Sequence, residues 1–263
     1  MNIVICGAAG KMGQEILNLA KLDQTINVIG ALDREDKVGI NTNQNNEILS
    51  IDKLYSIICK TKSIIIDFTS PQCTLKNIRV AKKCNTPMVI GTTGFNENEK
   101  NDISKLSNFI PIVLSPNMSI GMNMVFKLVE VMTKKLLEYN IEILELHHNR
   151  KKDAPSGTAN KIAEIISSSL GESLANVAVY GRHGINLTRK KNEIGISSIR
   201  AGDIVGDHTI YFTGIGERVE LTHRAHSRHP FAIGALKAAK WLEHIQSPGL
   251  YSMEDVLCIN NLY

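Results

Sequence analysis

A glycine-rich run near the start of the chain carries the clearest structural signal: Gly7-Ala8-Ala9-Gly10-Lys11-Met12-Gly13. It separates an apolar segment at residues 2–6, which reads as a strand, from a helical pattern at residues 12–22, and a second strand is predicted at 26–32. Glycines spaced G-x-x-G-x-x-G at a strand-to-helix turn let a pyrophosphate approach the backbone N–H groups of the helix start. The run therefore predicts a βαβ unit that binds a dinucleotide.

An acidic residue follows the second predicted strand. Asp33 lies 20 residues after Gly13, where a carboxylate accepts hydrogen bonds from the ribose hydroxyls of a dinucleotide. Arg34 comes next, and a guanidinium there can hold the 2′-phosphate of NADPH. The pair indicates use of both NADH and NADPH. The alternative interpretation of these features is a glycine-rich turn in an ordinary α/β domain.

The alternation of strands and helices continues over the first part of the chain. Strands are predicted at 63–68, 87–90 and 111–114, helices at 72–84 and 97–107, and a polar loop without assigned function at 41–46. Strands that are apolar throughout are typical of a parallel sheet covered on both faces. Because such sheets bind ligands at the carboxyl ends of their strands, two loops are candidate cofactor contacts: Gly91-Thr92-Thr93-Gly94 and Ser115-Pro116-Asn117-Met118.

The pattern changes after Asn117, where a second domain is predicted to begin. A long helix at 120–139, a strand at 141–147 and a helix at 158–170 come first. Strands at 194–200, 208–212 and 218–222 then follow one another without helices between them, which favours a mixed or antiparallel sheet. The last predicted helix, at 231–243, is rich in alanine and is expected to return to the first domain.

The densest polar segment is residues 145–158, which read ELHHNRKKDAPSGT. Neighbouring histidines at a strand end point in opposite directions, and no third ligand stands at zinc spacing, so we predict no metal. Lys151 lies between Arg150 and Lys152, which we expect to ease loss of its proton for acid–base work. A helix that opens at Ser156-Gly157-Thr158 suits a carboxylate, so we expect a small dicarboxylate substrate. The alternative is a solvated basic loop.

A second group of histidines recurs every three residues at His223, His226 and His229. The segment lies between a predicted strand and a predicted helix, and it offers no regular helix on which the three rings would converge. We therefore favour solvated or interdomain roles over a metal site and assign them no function. Arg228 is the better candidate for contact with a carboxylate.

Composition limits the class of protein. A length of 263 residues favours two domains, and no apolar run approaches the roughly 20 residues that cross a bilayer. A net charge of +4 is too small to argue for a nucleic-acid partner. The five cysteines include no C-x-x-C pair and the chain starts without a targeting pattern, so we expect reduced, buried thiols in a cytoplasmic protein.

In order and spacing these features resemble the 4-hydroxy-tetrahydrodipicolinate reductase (dihydrodipicolinate reductase) family over nearly the whole chain. Residues 145–158 match the family signature E-x-H-H-x-x-K-x-D-A-P-S-G-T. Residues 200–206, which read RAGDIVG, and the pattern around Thr222, His223 and Arg228 support the match. Two departures are visible: the loop 115–118 differs from the Ala or Phe of many relatives, and Asp33 replaces a Glu.

The resemblance implies a role for each matching position. His147 is implied as the acid–base residue, Lys151 as the proton donor, and His148, Gly157 and Thr158 as substrate-binding residues. The implied cofactor contacts are Gly7, Ala8, Ala9, Gly10, Lys11, Met12, Asp33, Arg34, Gly91, Thr92, Thr93, Ser115, Pro116, Asn117 and Met118. The implied cofactors are NADH and NADPH.

The resemblance also implies the architecture and the reaction. The expected α/β fold is a Rossmann-like parallel-sheet nucleotide domain, residues 1–118 and 229–263, with an inserted α+β substrate-binding and oligomerisation domain, residues 119–228, built on a mixed sheet. The expected reaction belongs to diaminopimelate and lysine biosynthesis: hydride passes from the nicotinamide to a cyclic unsaturated dicarboxylate, formed by loss of water from the hydroxylated substrate, and Lys151 supplies a proton. The implied assembly is a homotetramer joined through the second sheet.

Two other functions compete with this interpretation. One is another two-domain NAD(P)-dependent oxidoreductase of a small carboxylate such as a semialdehyde, which would need a reactive cysteine in the second domain; none stands between Asn117 and His229. The other is a non-catalytic nucleotide sensor, against which His147 and Lys151 argue.

Overall fold

The computed structural model describes residues 1–40, 47–185 and 188–260, so the predicted loop at 41–46 lies outside the described residues. Described residues fall into two compact units. The first contains Met1–Ile120 and Arg228–Asn260, and the second contains Gly121–Ser227.

Secondary-structure elements are numbered in chain order. The strands of the described residues are β1 (Asn2–Cys6), β2 (Asn27–Asp33), β3 (Leu49–Ser50), β4 (Ile64–Asp67), β5 (Met88–Ile90), β6 (Pro111–Leu114), β7 (Asn140–His147), β8 (Ala178–Tyr180), β9 (Ile194–Arg200), β10 (Gly206–Thr213), β11 (Arg218–Ala225) and β12 (Gly249–Tyr251). Their helices are α1 (Lys11–Leu22), α2 (Leu54–Ile58), α3 (Pro71–Lys83), α4 (Glu97–Ser107), α5 (Ile120–Lys135), α6 (Gly157–Ser169), α7 (Leu174–Val177), α8 (His229–Leu242) and α9 (Met253–Leu257).

The first unit is built on a parallel sheet. Within the described part of the chain it has seven strands in the order β12-β6-β5-β4-β1-β2-β3. The chain winds from β1 to β2 and β3 in one direction and then crosses to β4, β5 and β6 in the other. A crevice for ligands is expected where the direction reverses, outside the carboxyl ends of β1 and β4. The Rossmann-like parallel sheet predicted from the sequence is confirmed.

Hydrophobic cores cover both faces of this sheet. On one face α1 and α8 pack together over Ile3, Ile5 and Ile66. Small residues permit the close approach of α8, and a Cβ atom on Gly234 would collide with the carbonyl oxygen of Met118. The other face is covered by α2, α3 and α4, with a core that includes Ile78 and Ile103. Burial on both faces explains why the strands are apolar throughout.

The second unit is built on a mixed sheet, as predicted. Among the described residues the strand order is β11-β10-β7-β9-β8, with β10 antiparallel to its two neighbours and β7, β9 and β8 parallel. Alternate residues of β7 are buried, including Ile141 and Ile143, and they pack with Val129 of α5 and Ile162 of α6. The polar residues Glu145 and His147 continue the same buried face to the carboxyl end of β7.

The expectation that all cysteines are reduced is wrong for one pair. Cys59, which follows α2, and Cys84, which follows α3, form a disulfide with their Cα atoms 5.0 Å apart. The two helices pack on the same face of the sheet, which brings their carboxyl ends together, and no sequence spacing signals this contact. Cys6, Cys73 and Cys258 are free thiols. In the described part of the chain, no helix combines the length and the hydropathy that a membrane span requires.

Candidate active site

The glycine run forms the turn between β1 and α1. The backbone N–H groups of Gly7 and Ala8 both donate to the carbonyl of Leu32, at 2.9 and 3.0 Å. Gly7 has φ of 84°, a conformation that favours glycine. Gly10 caps α1 without any side-chain hydrogen bond to the first turn, so backbone N–H groups are presented at the positive end of the helix dipole. The geometry of this turn is suited to an anion, as the spacing predicts.

Asp33, at the end of β2, is tied to the glycine run. Its Oδ2 accepts a hydrogen bond from the N–H of Ala9 at 2.8 Å, and its Oδ1 accepts from the N–H of Arg34 at 2.8 Å. Arg34 is largely exposed and its Nε lies 2.8 Å from Asp36. A cavity of about 480 Å³ lies against these groups, and its lining is Gly7, Ala9, Gly10, Asp33, Arg34, Lys37, Ile51, Phe68, Thr69, Ser70 and Cys73. An uncapped helix start, a ribose-position acid and a guanidinium around one cavity fit a dinucleotide.

A buried carboxylate that the sequence interpretation missed organises the next two loops. Asp67 ends β4 and is fully buried. Its Oδ1 accepts hydrogen bonds from the N–H and Oγ1 of Thr69, at 3.0 and 2.6 Å, and from Oγ1 of Thr74 and Thr92, at 3.0 and 3.1 Å. Its Oδ2 accepts from Asn77 at 2.7 Å. Burial raises the pKa of Asp67, and the hydrogen bonds from Thr69, Asn77 and Thr74 oppose that shift.

The Asp67 hydrogen bonds join the loop after β4, the first turns of α3 and the loop after β5. Thr92, a predicted cofactor contact, is buried and turned towards Asp67, whereas its neighbour Thr93 is exposed. The ring of Phe68 lies over Gly91, where a Cβ atom would collide with it. In the sequence, the signal for this buried carboxylate is the pair of polar residues Asp67 and Thr69 at the end of an apolar strand.

The predicted contact loop after β6 is a tight turn. The Ser115 hydroxyl donates to the carbonyl of Asn117 at 2.7 Å, and the Asn117 side chain accepts from the N–H of Ser119 at 2.9 Å. Pro116 is exposed, whereas the Met118 side chain belongs to the core of the first unit. At the glycine run, Ala8 likewise lies in this core and Met12 packs against it, while Lys11 is exposed at the start of α1.

A second cluster lies in the second unit, at the carboxyl end of β7. Glu145 is fully buried, and its Oε2 lies 2.6 Å from Nδ1 of His147. Nη2 and Nη1 of Arg200 donate to Glu145 Oε1 and Oε2, at 2.7 and 2.8 Å, and the N–H of Ser156 donates to Oε1 at 3.1 Å. Burial alone would raise the pKa of Glu145, but hydrogen bonds from His147, Arg200 and Ser198 outweigh it and hold the pKa well below its usual range. Glu145 is therefore an ionised acceptor.

Lys151 lies on the loop that follows β7. The loop is anchored by backbone hydrogen bonds from His148 to Ile204, at 2.7 Å, and from Asn149 to Gly202, at 3.2 Å. Nζ of Lys151 lies 2.8 Å from Oδ1 of Asp153. The sequence interpretation considered only the repulsion from Arg150 and Lys152, both of which are exposed, and it omitted this attraction to Asp153.

His208 of β10, which was not predicted as a site residue, completes the cluster. Its ring meets that of His147 edge to face, with centroids 5.2 Å apart, and its Nε2 lies 3.1 Å from Oγ of Ser156. Burial, followed by the nearby His147, lowers the pKa of His208 to about 3, so the ring is neutral. Burial, followed by Arg150, also lowers the pKa of His148.

The helix start next to this cluster is capped internally. The Ser156 hydroxyl accepts from the N–H of Ala159 at 3.1 Å, and α6 opens with Gly157 and Thr158. Within the described residues, three buried polar atoms of the cluster make no hydrogen bond: Nδ1 of His148, Nε of Arg200 and Nδ1 of His208.

The second histidine group is distributed over different elements. His223 lies within β11, opposite His208 of β10, although the sequence placed it after the strand. His229 begins α8, and its Nδ1 lies 2.9 Å from Glu15 of α1. Arg228 is the N-cap of α8.

A parallel sheet with a glycine-rich first turn, together with a separate unit that carries a histidine–carboxylate cluster, defines an oxidoreductase that uses a nicotinamide cofactor. Comparison with known proteins specifies the family. Two family models match, "Dihydrodipicolinate reductase, N-terminus" over residues 1–118 and "Dihydrodipicolinate reductase, C-terminus" over residues 121–257. The chain belongs to the dihydrodipicolinate reductase family.

Individual relatives agree with this assignment. The 4-hydroxy-tetrahydrodipicolinate reductase of Syntrophus aciditrophicus (strain SB) is 42% identical over 264 residues, 98% of each chain. That of Citrifermentans bemidjiense is 42% identical over 265 residues, again 98% of each. A dipicolinate-bound dihydrodipicolinate reductase from Paenisporosarcina sp. TG-14 has the same fold, with a TM-score of 0.75 and 23% identity over 96% of this chain and 97% of that one. The family predicted from residues 145–158 is confirmed.

Proposed function

We propose that the chain reduces 4-hydroxy-tetrahydrodipicolinate to tetrahydrodipicolinate with NADH or NADPH, as a step of diaminopimelate and lysine biosynthesis. The observation that carries the proposal is the cluster at the end of β7. His147 and the N–H of Ser156, just before α6, contact the buried carboxylate of Glu145. Lys151 belongs to the same continuous signature and pairs with Asp153. The full-length relatives with this activity support the same substrate.

The first unit holds the cofactor in this proposal. The N–H groups at Gly7–Met12 and the start of α1 bind the pyrophosphate, and the loops 91–93 and 115–118 contact the nicotinamide half. When bound, the nicotinamide supplies the hydride. Asp33 faces the ribose with an oxygen that already accepts the N–H of Ala9, and Arg34 takes the 2′-phosphate, so both cofactors are accepted.

The second unit binds the dicarboxylate and handles the proton. The N–H groups of Gly157 and Thr158 and the ring of His148 bind a carboxylate of the substrate. Lys151 donates a proton from Nζ to complete the reduction. His147, whose Nδ1 is held by Glu145, keeps Nε2 for acid–base work.

We also propose a cytoplasmic homotetramer joined through the mixed sheet, as the family resemblance implies. The face of this sheet opposite Ile141 and Ile143 carries Leu144 and Leu146, which are only half buried in a single chain, and Ile199 is exposed. Light scattering on the purified chain tests the assembly: a mass of four chains is expected, and a monomer contradicts it.

The reaction is tested by a coupled assay. Purified chain, the upstream synthase with its substrates, and NADH or NADPH are mixed, and loss of the reduced nicotinamide is followed by absorbance. Oxidation is expected with each cofactor only when the synthase product is present. No turnover with either cofactor would overturn the proposal, and oxidation of a semialdehyde instead would favour the alternative oxidoreductase.

A further inference from the structure

Arg200 contacts a neighbour of each residue of the proposed catalytic pair, His147 and Lys151. It donates to both oxygens of Glu145, which contacts His147, and its Nη2 also donates to the backbone carbonyl of Asp153 at 2.7 Å. We infer that Arg200 is a positioning residue that fixes His147 and Lys151 as one unit. This inference rests on the function proposed above. It assigns the relative placement of His147 and Lys151 to Arg200, a side chain on β9.

The contact with Glu145 determines the protonation pattern of His147. Glu145 is fully buried, so its charge needs a partner that remains charged at all working pH values, and a guanidinium in two-pronged contact provides one. An ionised carboxylate can only accept, so the proton of the neutral His147 ring lies on Nδ1. Nε2, next to Gly206, is then the acceptor.

The contact with Asp153 determines where Lys151 is held. Nη2 of Arg200 binds the Asp153 carbonyl, and the Asp153 carboxylate lies 2.8 Å from Nζ of Lys151. Besides this contact, the loop is held at its two ends, by the hydrogen bonds from the N–H of His148 to Ile204 and from the N–H of Ser156 to Glu145. One guanidinium therefore sets the distance between His147, at the end of β7, and Lys151, four positions further on in the loop that follows.

Other groups that face Glu145 and His147 cannot replace Arg200. Ser156 and Ser198 donate neutral hydrogen bonds to Glu145, and His208 on β10 is held neutral by burial. Glu145, in turn, raises the pKa of Arg200 through its hydrogen bonds. Loss of Arg200 would leave the buried carboxylate of Glu145 without a permanently charged partner, in contact with the His147 ring that is proposed to exchange a proton.

The test uses the full chain with Arg200→Gln and Arg200→Lys. We expect Arg200→Gln to lower kcat by about a hundredfold with the KM for cofactor within about twofold, because misplacement by about 1 Å has effects of this size. In ¹⁵N spectra of histidine-labelled protein without substrate, His147, assigned with His147→Asn, should lose its Nδ1–H signature. The acid limb of kcat/KM should move to higher pH, because the pKa of Glu145 rises without the guanidinium. Arg200→Lys keeps the charge without the planar fork and should recover part of the loss.

Arg182→Gln is the matched control. Arg182 binds Glu142, which lies on β7 like Glu145, at 2.9 Å, and Glu193 at 3.3 Å, away from the cluster. The Arg182→Gln substitution should therefore leave kcat and the His147 spectrum unchanged. The inference is overturned if Arg200→Gln matches wild type, or if it loses activity while the tautomer and the acid limb stay as they were. Wild type without turnover would contradict the proposed function instead, and the substrate-free spectra would still decide the role of Arg200.

Discussion

The side chain of Lys151 is oriented by a carboxylate that lies two residues further on. Its Nζ is 2.8 Å from Asp153, whose side chain is 59% exposed, while that of Lys151 is 21% exposed. An ion pair with one solvated partner contributes only about 0–1 kcal/mol to stability. The consequence of the pair is therefore placement of the ammonium, which the neighbouring cations Arg150 and Lys152 cannot provide.

Replacement of Lys151 by Ala should affect turnover far more than cofactor binding. We expect kcat to fall by about a hundredfold or more, because general acid catalysis contributes factors of this size, while the Kd for NADPH stays nearly unchanged. Steady-state kinetics and NADPH fluorescence titration measure the two quantities. Lys152→Ala, which removes an exposed cation one position away, is the control. Equal loss of NADPH binding in Lys151→Ala would assign the residue a structural role.

His208 should make the protein sensitive to acid. Its pKa is about 3 in the folded chain against 6.5 for a free histidine. As the pH falls below about 6.5, His208 of the unfolded chain binds a proton, whereas in the folded chain it stays neutral until about pH 3. The contribution of neutral His208 to the free energy of unfolding is therefore complete above pH 6.5 and is lost progressively between pH 6.5 and pH 3. His148 and His223, whose pKa values are also lowered, act in the same direction.

His208→Gln tests this contribution by denaturant unfolding between pH 7 and pH 5. The dependence of unfolding free energy on pH should become shallower by roughly 1 kcal/mol per pH unit, because one pKa unit corresponds to about 1.4 kcal/mol. His244→Gln, at an exposed site on the first unit, should keep the wild-type slope. An unchanged slope in His208→Gln would show that its ring is protonated in the folded chain.

At the scale of elements, Asp67 joins three segments that would otherwise be independent loops. Hydrogen bonds from Thr69, Thr74 and Thr92 converge on one oxygen, so β4, α3 and the end of β5 share a single buried acceptor. Phe68 and Thr69, which line the cavity proposed for the nucleotide, are fixed as a result. The rigidity of the proposed cofactor site therefore depends on Asp67, which is not among the residues that line it.

Asp67→Asn should weaken cofactor binding. The amide offers an N–H where the carboxylate accepts, which leaves a buried donor unpaired at a cost of about 1–3 kcal/mol. We expect the KM for NADPH to rise about tenfold, with kcat at saturating NADPH within about threefold and a lower Tm. Asp102→Asn removes a carboxylate on α4 that is partly exposed, and it should leave the KM for NADPH, kcat and Tm unchanged. A drop in kcat with unaltered KM would contradict the role of Asp67.

The elements predicted best were those with a long local pattern. The strand and helix bounds at β1, α4, β6 and β9 agree with the sequence, and those of α1 and α8 differ by at most two residues. Missed elements are short: β3, β8 and β12 have two or three residues, and β12 exists because β6 offers an edge to pair with. Such pairing depends on contacts between distant residues, which a local pattern does not contain.

The same limit applies to the site. His147 and Lys151 could be proposed as site residues because a continuous signature carries them. Glu145 and Arg200, in contrast, are 55 positions apart and meet because β7 and β9 are parallel neighbours. The signature includes Glu145, and residues 200–206, which match the family, include Arg200. Neither motif indicates that the side chains of Glu145 and Arg200 form an ion pair. Asp67 was missed for a similar reason, since its partners come from three segments.

At the scale of the whole molecule, each unit has a hydrophobic core of its own. One core surrounds β1 and α8, and another lies between β7 and the helices α5 and α6. The chain passes from the first unit to the second near residues 120–121 and returns near residues 227–228. A ligand held by one unit can therefore stabilise that unit selectively, because only states that bind it gain free energy.

Hydrogen exchange with and without NADPH tests whether the units respond separately. At an NADPH concentration of about 100 times Kd, the first unit should gain about 2.7 kcal/mol against opening, so amides of β1, β4 and α1 should exchange about a hundredfold more slowly. Amides of β7, β9 and β10 should exchange at unchanged rates, because among the described residues their core and the proposed nucleotide cavity have no member in common. An equal gain of protection in both units would mean that the chain opens as one cooperative body. A gain of protection confined to the second unit would contradict the assignment of the nucleotide site to the glycine run.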